Sequence, residues 1–329
     1  MPPATLAKNE ARNTGWDCII VGGGPAGLAA ALLLGRARRH VLLLDSGEYR
    51  NARAHHLHGF PTRDGCPPAL LRATAHEELQ AYPTVVTRSG LAFEARQQAG
   101  GFAVTVQDQS GQRVLHSRKL LLATGVADEV PGLPGLDAIY GLDAWHCPYC
   151  DGYERQDQPL AVYGPPAQGV ALALEASGWS GNVVYCSGGD RLEPREHERL
   201  SSVGIRVRES PVQTLMLEGG RLRGLRLADG HVITCTALLL AMRFRQRSNL
   251  AQQLGCSLTA GGLVQADAAG CTEVEGLYVA GDAASTLHLA LIAAAQGSHA
   301  AFAANTALLR EDLKARRQDA PPSYRAAGD

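Results

Sequence analysis

The sequence predicts an α/β protein with two doubly wound, dinucleotide-binding units. Two observations carry this. A strand, a glycine turn, a helix and a second strand ending in an acid follow in order over residues 16–45. A smaller copy of the pattern recurs over 160–186. The composition agrees: 37 glycines with only 5% aromatic residues suit backbone that must approach phosphates closely.

A length of 329 residues fits two ordinary domains, and 45% hydrophobic with 19% charged residues allows a sizeable core. The formal net charge of −1 gives no basic surface for nucleic acid. The stretch MPPATLAKNEARNTG has no apolar signal core, and the longest apolar run, GLAAALLL, is too short for a bilayer. A cytoplasmic protein without a transmembrane segment is expected, with flexible N-terminal residues at 1–15. The eight cysteines are scattered and include one CxxC, unlike the dense framework of a small secreted domain.

The first pattern reads WDCIIVGGGPAGLAAALLLGRARRHVLLLD. A buried strand at 18–21 leads into Gly22, Gly24 and Gly27, with Pro25 and Ala26 between the last two, and a helix follows to about Leu34, with Gly35 past its end. Gly22 makes the tight turn, Gly24 lets a pyrophosphate touch backbone, and Gly27 packs helix on strand. The helix N-terminus offers partial positive charge to the phosphates. A second strand at 41–44 delivers Asp45, 21 residues after Gly24, where a carboxylate accepts from ribose hydroxyls.

Two later motifs narrow the choice of dinucleotide. LLLATG (120–125) is a buried strand closing on a glycine turn, and GLYVAGDAA (276–284) is a strand ending in Gly281-Asp282 before a helix-like stretch at 287–309. With the first motif and the cysteine pair below, these resemble the low-molecular-weight thioredoxin-reductase-like flavoproteins over about residues 16–310. The resemblance implies one FAD per chain at the N-terminal Rossmann site, with Asp282 on the ribityl chain. It further implies that Ser46, Asn51, His58, Ala123, Thr124, Gly125, Leu289 and Ala290 belong to that site. His58 is preferred over His55 and His56 because it adjoins the apolar Gly59-Phe60. The helix after Asp282 would point its N-terminus at the flavin and favour its reduced anion.

The same resemblance implies a discontinuous FAD-binding domain, 16–128 and 247–310, with an NADPH-domain-like unit at 129–246 inserted into it. The insert has strands at 160–163 and 183–186, a helix at 167–177, and two strands around 212–217 and 221–227. Residues 311–329 are expected to be a mobile, charged tail in which Tyr324 could stack on a ring. A homodimer is carried over from the family.

The cysteine pair lies in HCPYCDGY, 146–153. No second CxxC or HxxxH accompanies it to complete a zinc site, so no metal is expected. The pair reads as redox-active or as a structural disulfide. Pro148 suits a first helical position, and a cysteine at a helix N-terminus has a lowered pKa. By resemblance Cys150 exchanges electrons with the flavin and Cys147 meets the substrate. Asp151 occupies the family's acid/base position, although a first-turn carboxylate can also serve only the helix dipole. His146 is a second proton-transfer candidate.

The family's usual donor, NADPH, needs a second glycine motif and paired basic residues after the next strand. Here VYGPPAQGVALAL keeps Gly164 and Gly169 but carries Pro165 and Pro166 between them. Proline has no N–H and puts a ring where phosphate approaches. After the strand only Arg191 stands nearby, and Ala241-Met242-Arg243 replaces a more permissive turn. Losing two charge-assisted bonds of about 1.5–3 kcal/mol each weakens binding by roughly a hundred- to ten-thousand-fold. The second cleft is therefore not expected to take NADPH, and is empty or holds another nucleotide such as a second FAD.

The segment 49–71 most resembles family members that oxidise dithiols. The leading reading is an FAD-dependent dithiol/disulfide oxidoreductase independent of NADPH. Its substrate would be a small dithiol or a thioredoxin-like protein, and its other electron partner is open. An NADPH-dependent thioredoxin reductase with a divergent site, and a flavin-bound redox sensor, are the alternatives.

Overall fold

The structure, a computed structural model, describes residues 15–319. The expected flexible start, apart from Gly15, and the tail from 320 onward, including Tyr324, lie outside the described residues. The chain divides into two units. One holds residues up to 49, 72–126 and 246 onward, and the other holds 50–71 and 127–245. Residues 50–71, expected with the nucleotide-binding domain, fold instead with the middle of the chain.

The first unit is built on a seven-stranded sheet. Trp16–Val21 pairs in parallel with Val41–Asp45 on one side and with the far half of Gly111–Leu122 on the other. Leu277–Val279 adds a parallel strand beyond it, pairing Leu277 with Leu120 and Val279 with Leu122. The sequence ends of this unit thus meet in one sheet. These strands are runs of Ile, Val and Leu without alternation, because both faces are covered. The near half of Gly111–Leu122 turns back antiparallel against Gly101–Asp108.

Helix Pro25–Arg36 packs on one face against the 30-residue helix Ala290–Asp319. Gly297 permits that contact, since a Cβ on it would lie 2.0 Å from Ala26 O, while Gly27 lets the first helix lie on its own turn, where a Cβ would lie 1.8 Å from Gly22 O. Gly35 is not a terminator as expected. It sits inside the helix, where a Cβ would strike Val85 at 2.7 Å, so its smallness serves packing.

The long helix starts later than expected and runs on through residues expected to be tail. Salt bridges hold its far end. Arg39 and Arg118 bind Asp312 at 2.6 and 2.8 Å, and Lys119 and Arg118 bind Glu311. Phe302, Leu309 and Leu313 line an exposed stripe of the same helix that the sequence reading had not singled out.

The second unit has a five-stranded sheet whose central strand, Leu160–Tyr163, pairs in parallel with Val183–Cys186 and Ala237–Leu240. Helix Pro166–Ala176 covers it. A separate antiparallel sheet joins Val212–Glu218, Arg221–Leu227 and Val232–Thr234. Among the described residues, no helix is long and apolar enough to cross a membrane.

Candidate functional site

The glycine turn of the first unit has the form of a phosphate cradle. Gly22 adopts φ +117°, and a Cβ there would lie 2.2 Å from Ala123 O, so the turn runs directly against the end of the neighbouring strand. A Cβ on Gly24 would meet nothing within 4 Å, which leaves the helix start open to a ligand. Pro25 stands at the first helical turn, where its missing N–H costs nothing, and Ala26 is buried behind it.

Asp45 ends its strand with its carboxylate oriented by local donors. Oδ1 accepts from Gly47 N at 2.9 Å, Oδ2 accepts from the Tyr49 hydroxyl, and His76 Nε2 lies 3.7 Å away. Arg72 stacks over the Tyr49 ring at 3.7 Å. Burial and Asp45 push the Tyr49 phenol up to about 12, so it remains a donor. Tyr49, Arg72 and His76 are site neighbours that sequence reading missed. Ser46 is exposed beside them, and its Oγ accepts from Glu48 N at 3.4 Å.

The other two glycine motifs converge in the same unit. Ala123 is buried, Thr124 is half-buried, and Gly125 has φ +66° and accepts from Arg247 N at 3.2 Å. Gly281 has φ +76°, a Cβ on it would lie 3.0 Å from that of Ala26, and its N–H donates to Gln296 Oε1 at 3.0 Å. Asp282 follows on a 3-10 turn, half-buried, with Leu289 and Ala290 at the start of the long helix. An open cradle, a fixed acid and a second acid on the adjoining turn fit a dinucleotide such as FAD. The remaining two expected cofactor residues, Asn51 and His58, fold in the second unit.

In that unit Cys147 and Cys150 form a disulfide with Cα atoms 5.3 Å apart. Cys147 caps the four-residue helix Pro148–Asp151, with Pro148 at its first position. Asp143 holds the loop at both ends. It is 1% exposed and accepts from Arg155 at 2.6 Å, from Arg221 at 2.7 and 2.8 Å, and from Leu222 N at 3.0 Å. Burial pushes its carboxyl up, but these bonds and charges outweigh burial and leave it below the usual range. Tyr149, between the cysteines, is exposed and meets Trp179 edge-on at 5.1 Å.

Asp151 is raised from its ordinary value, mainly by burial. His58 opposes the rise, Glu154 adds to it, and Arg155 and His56 oppose it. A carboxyl raised toward neutrality suits proton transfer better than an ordinary one. His58 stands 3.5 Å from Glu154 and 3.6 Å from Asp64. His146 faces Arg50: Arg50 Nη2 lies 3.1 Å from His146 Nε2, while Asp128 accepts from Arg50 Nε at 3.0 Å and Nη2 at 2.5 Å. The Tyr140 hydroxyl closes the group on Asp128 at 2.7 Å. Arg50, Asp128, Tyr140 and Asp143 were also missed, since no motif links residues so far apart in the chain.

The second glycine turn differs from the first. Pro165 caps helix Pro166–Ala176 and Pro166 opens it, so neither offers an N–H. Gly164, at φ +145°, lies against Ala241, whose O would be 2.3 Å from a Cβ. The buried Tyr185 hydroxyl donates to Gly164 O at 2.8 Å. After the strand, Ser187 Oγ donates to Asp190 O, and Glu209 Oε1 binds Leu192 N and His197, each at 2.9 Å.

With its paired glycine turns and helix-borne disulfide, the chain belongs to the pyridine nucleotide-disulphide oxidoreductase family, whose model matches residues 16–297, and within it to the thioredoxin-reductase-like flavoproteins. It is thus a flavin-dependent disulfide oxidoreductase of a family that binds FAD. It is 32% identical to the thioredoxin reductase aclD of Aspergillus oryzae, over 87% of this chain and 94% of that one. Among solved structures, it resembles HlmI with a TM-score of 0.88 and 36% identity, covering 93% of this chain and 96% of that one. It also resembles an oxidoreductase from Agrobacterium tumefaciens with a TM-score of 0.83 and 32% identity, covering 90% and 99%.

Proposed function

We propose that this enzyme oxidises dithiols through Cys147 and Cys150 and does not take electrons from NADPH. The pair of prolines at the second glycine turn carries the reading. A phosphate approaching that helix start finds two positions without an N–H.

The chemistry assigned to the chain's own residues follows from the disulfide. A substrate thiolate attacks Cys147 Sγ, the Cys147–Cys150 bond breaks, and Cys150 leaves as a thiolate. The second substrate thiol then attacks the mixed disulfide, releasing oxidised substrate and the Cys147 thiolate. Asp151 accepts and returns the protons. FAD, held by the Gly22–Gly27 turn, Asp45, Ser46, the Ala123–Gly125 turn, Asp282, Leu289 and Ala290, supplies the two-electron acceptor when bound.

Small dithiols and thioredoxin-like proteins are the substrate classes. The exposed stripe of Phe302, Leu309 and Leu313 supports a homodimer, which light scattering tests. The chain's resemblance to a protein named thioredoxin reductase favours the other direction as the second reading, with NADPH as donor.

Anaerobic stopped-flow mixing separates the two. On this proposal a small dithiol bleaches the flavin and micromolar NADPH leaves it oxidised. Rapid bleaching by NADPH overturns the proposal. Flavin released per chain reports on the second cleft: a value near one leaves it without flavin, and a value near two identifies a second FAD as its occupant.

A further inference from the structure

We infer that Asp143 is a positioning residue of the disulfide centre: it captures the Arg155 guanidinium and so withholds it from Asp151, four residues earlier in the chain. The inference rests on the acid–base role proposed for Asp151 and deepens it.

The backbone puts two carboxylates in competition for one cation. Helical backbone runs from Pro148 to Arg155, because Gly152, between the two short helices, is itself helical at φ −67° and ψ −34°. Gly152 N donates to Pro148 O at 2.8 Å, and Arg155 N donates to Gly152 O at 3.1 Å. Residues three and four apart on such a run are neighbours, and an aspartate four before an arginine can pair with it. Adjacent residues do not face each other, which leaves Glu154 poorly placed for Arg155. Among the described residues, however, Arg155 makes its ion pair with Asp143, at 2.6 Å, and none with Asp151.

Asp143 prevails because it is the better-held anion. Arg221 Nε and Nη2 donate to it at 2.8 and 2.7 Å, and Leu222 N donates at 3.0 Å. These donors come from strand Arg221–Leu227, so the carboxylate is fixed from outside the disulfide loop. They keep it ionised against the effect of burial. Its side chain is 2% exposed and that of Arg155 18%, so solvent screens the pair weakly. Arg155 Cζ also lies over the Trp145 ring at 5.8 Å, which holds the guanidinium on the Asp143 side.

The charged groups acting on Asp151 come from two elements: Glu154 and Arg155 from its own, His56 and His58 from segment 50–71. Burial raises its carboxyl; His58 opposes the rise, Glu154 adds to it, Arg155 and His56 oppose it, and the rise prevails. His58 is shared with Glu154 at 3.5 Å and Asp64 at 3.6 Å. A guanidinium in direct contact would undo the rise, because an adjacent opposite charge favours the carboxylate. A carboxylate fixed in such a pair has no proton to give to a departing thiolate. With Arg155 held at Asp143, Asp151 can carry one.

The test uses the full-length holoprotein labelled with 13C at the aspartate carboxyl carbons, with Asp151→Asn to assign the resonance. Wild-type Asp151 should titrate above the ordinary value of about 3.9. In Asp143→Asn the released guanidinium should turn to Asp151 and move the midpoint down by about 1 or more. In Arg155→Met the cation is gone and the midpoint should move up. Both variants break the same ion pair, so a role confined to bracing the loop would shift both alike. The double variant should follow Arg155→Met, because Asp143 acts through Arg155. Arg221→Met loosens Asp143 from its strand but leaves Arg155 its partner, and should keep the wild-type midpoint. Should Asp143→Asn not fold, Arg155→Lys replaces it: the more strongly hydrated ammonium leaves the indole and the buried carboxylate more readily and should lower the midpoint. Shifts of one sign in Arg155→Met and the releasing variant, no shift in either, a moved midpoint in Arg221→Met, or wild-type Asp151 at or below its ordinary value overturns the inference. The titration needs neither dithiol nor NADPH, so it stands or fails separately from flavin bleaching.

Discussion

At Gly22–Gly27 the chain leaves a buried strand, turns at positive φ and starts a 12-residue helix with open space above Gly24. At Gly164–Gly169 it leaves a buried strand, turns at positive φ and starts an 11-residue helix with prolines at the cap and first position. Both turns keep the glycines that packing requires. A Cβ on Gly27 would meet Gly22 O at 1.8 Å, and one on Gly169 would meet the Tyr185 ring at 2.5 Å. The first carries a proline at one of these positions and the second at two, so the second offers fewer backbone donors. The glycines that let helix lie on strand are thus separable from the amides that hold phosphate. On the reading proposed above, the second turn has given up the phosphate and kept the packing.

The largest effect that tests this contrast is Gly27→Val. Its side chain would drive the helix off the turn, costing about 1–3 kcal/mol or more. Bound flavin, read from visible absorbance, should fall to about a tenth of wild type or less, a loss of at least ~1.4 kcal/mol in binding. Gly169→Ala should cost comparable stability and leave flavin content unchanged. Equal flavin loss in both variants would show that the two turns are not functionally distinct.

Next in size is Asp143→Ala, which asks whether the second unit relies on internal bracing. The change takes the buried partner from Arg155 and strips Leu222 N of its acceptor. Removing one partner of a buried pair costs about 3–5 kcal/mol, and the half-exposed Arg221 places this case near the lower end. The sign with pH follows from the direction of the shift. A carboxyl held below its unfolded value stabilises fully above about pH 4 and loses that contribution as pH falls toward its folded value. Wild type should lose stability on acidification through this window more steeply than Asp143→Ala, as urea unfolding at a series of pH values would report.

The legible parts of the molecule were those whose chemistry is local in the chain. Gly22, Gly24, Gly27, Asp45, Gly281-Asp282 and the CxxC each sit in a short motif whose spacing states its geometry. The hidden parts were assembled by topology. Arg50 reaches Asp128 across 78 positions and His146 across 96, and Asp143 joins Arg155 to Arg221. No periodicity records such contacts. The helical run to Asp319 was misread because charged residues after Leu309 look like a solvated tail, whereas Glu311 and Asp312 are anchored by Arg39, Arg118 and Lys119. Gly35 misled in the same way: a glycine near a helix end reads as a terminator until Val85 is found against it.

The smallest effect, and the one that sharpens the comparison most, is Tyr185→Phe. The phenol is fully buried on the strand beside the second turn, and its hydroxyl donates to Gly164 O, closing the turn from within the protein. Burial, with Glu196 and Asp190, pushes its pKa up, so it remains a donor at neutral pH. Removing the hydroxyl leaves the ring packed on Gly169 and deletes one hydrogen bond, a loss of about 1 kcal/mol. Thermal unfolding should show that drop, while flavin content and dithiol-driven bleaching hold at wild-type values. If the hydroxyl instead contributed to a bound dinucleotide, Tyr185→Phe would change the quantity of nucleotide released on denaturation, and the reading of the second turn as braced by protein alone would fail.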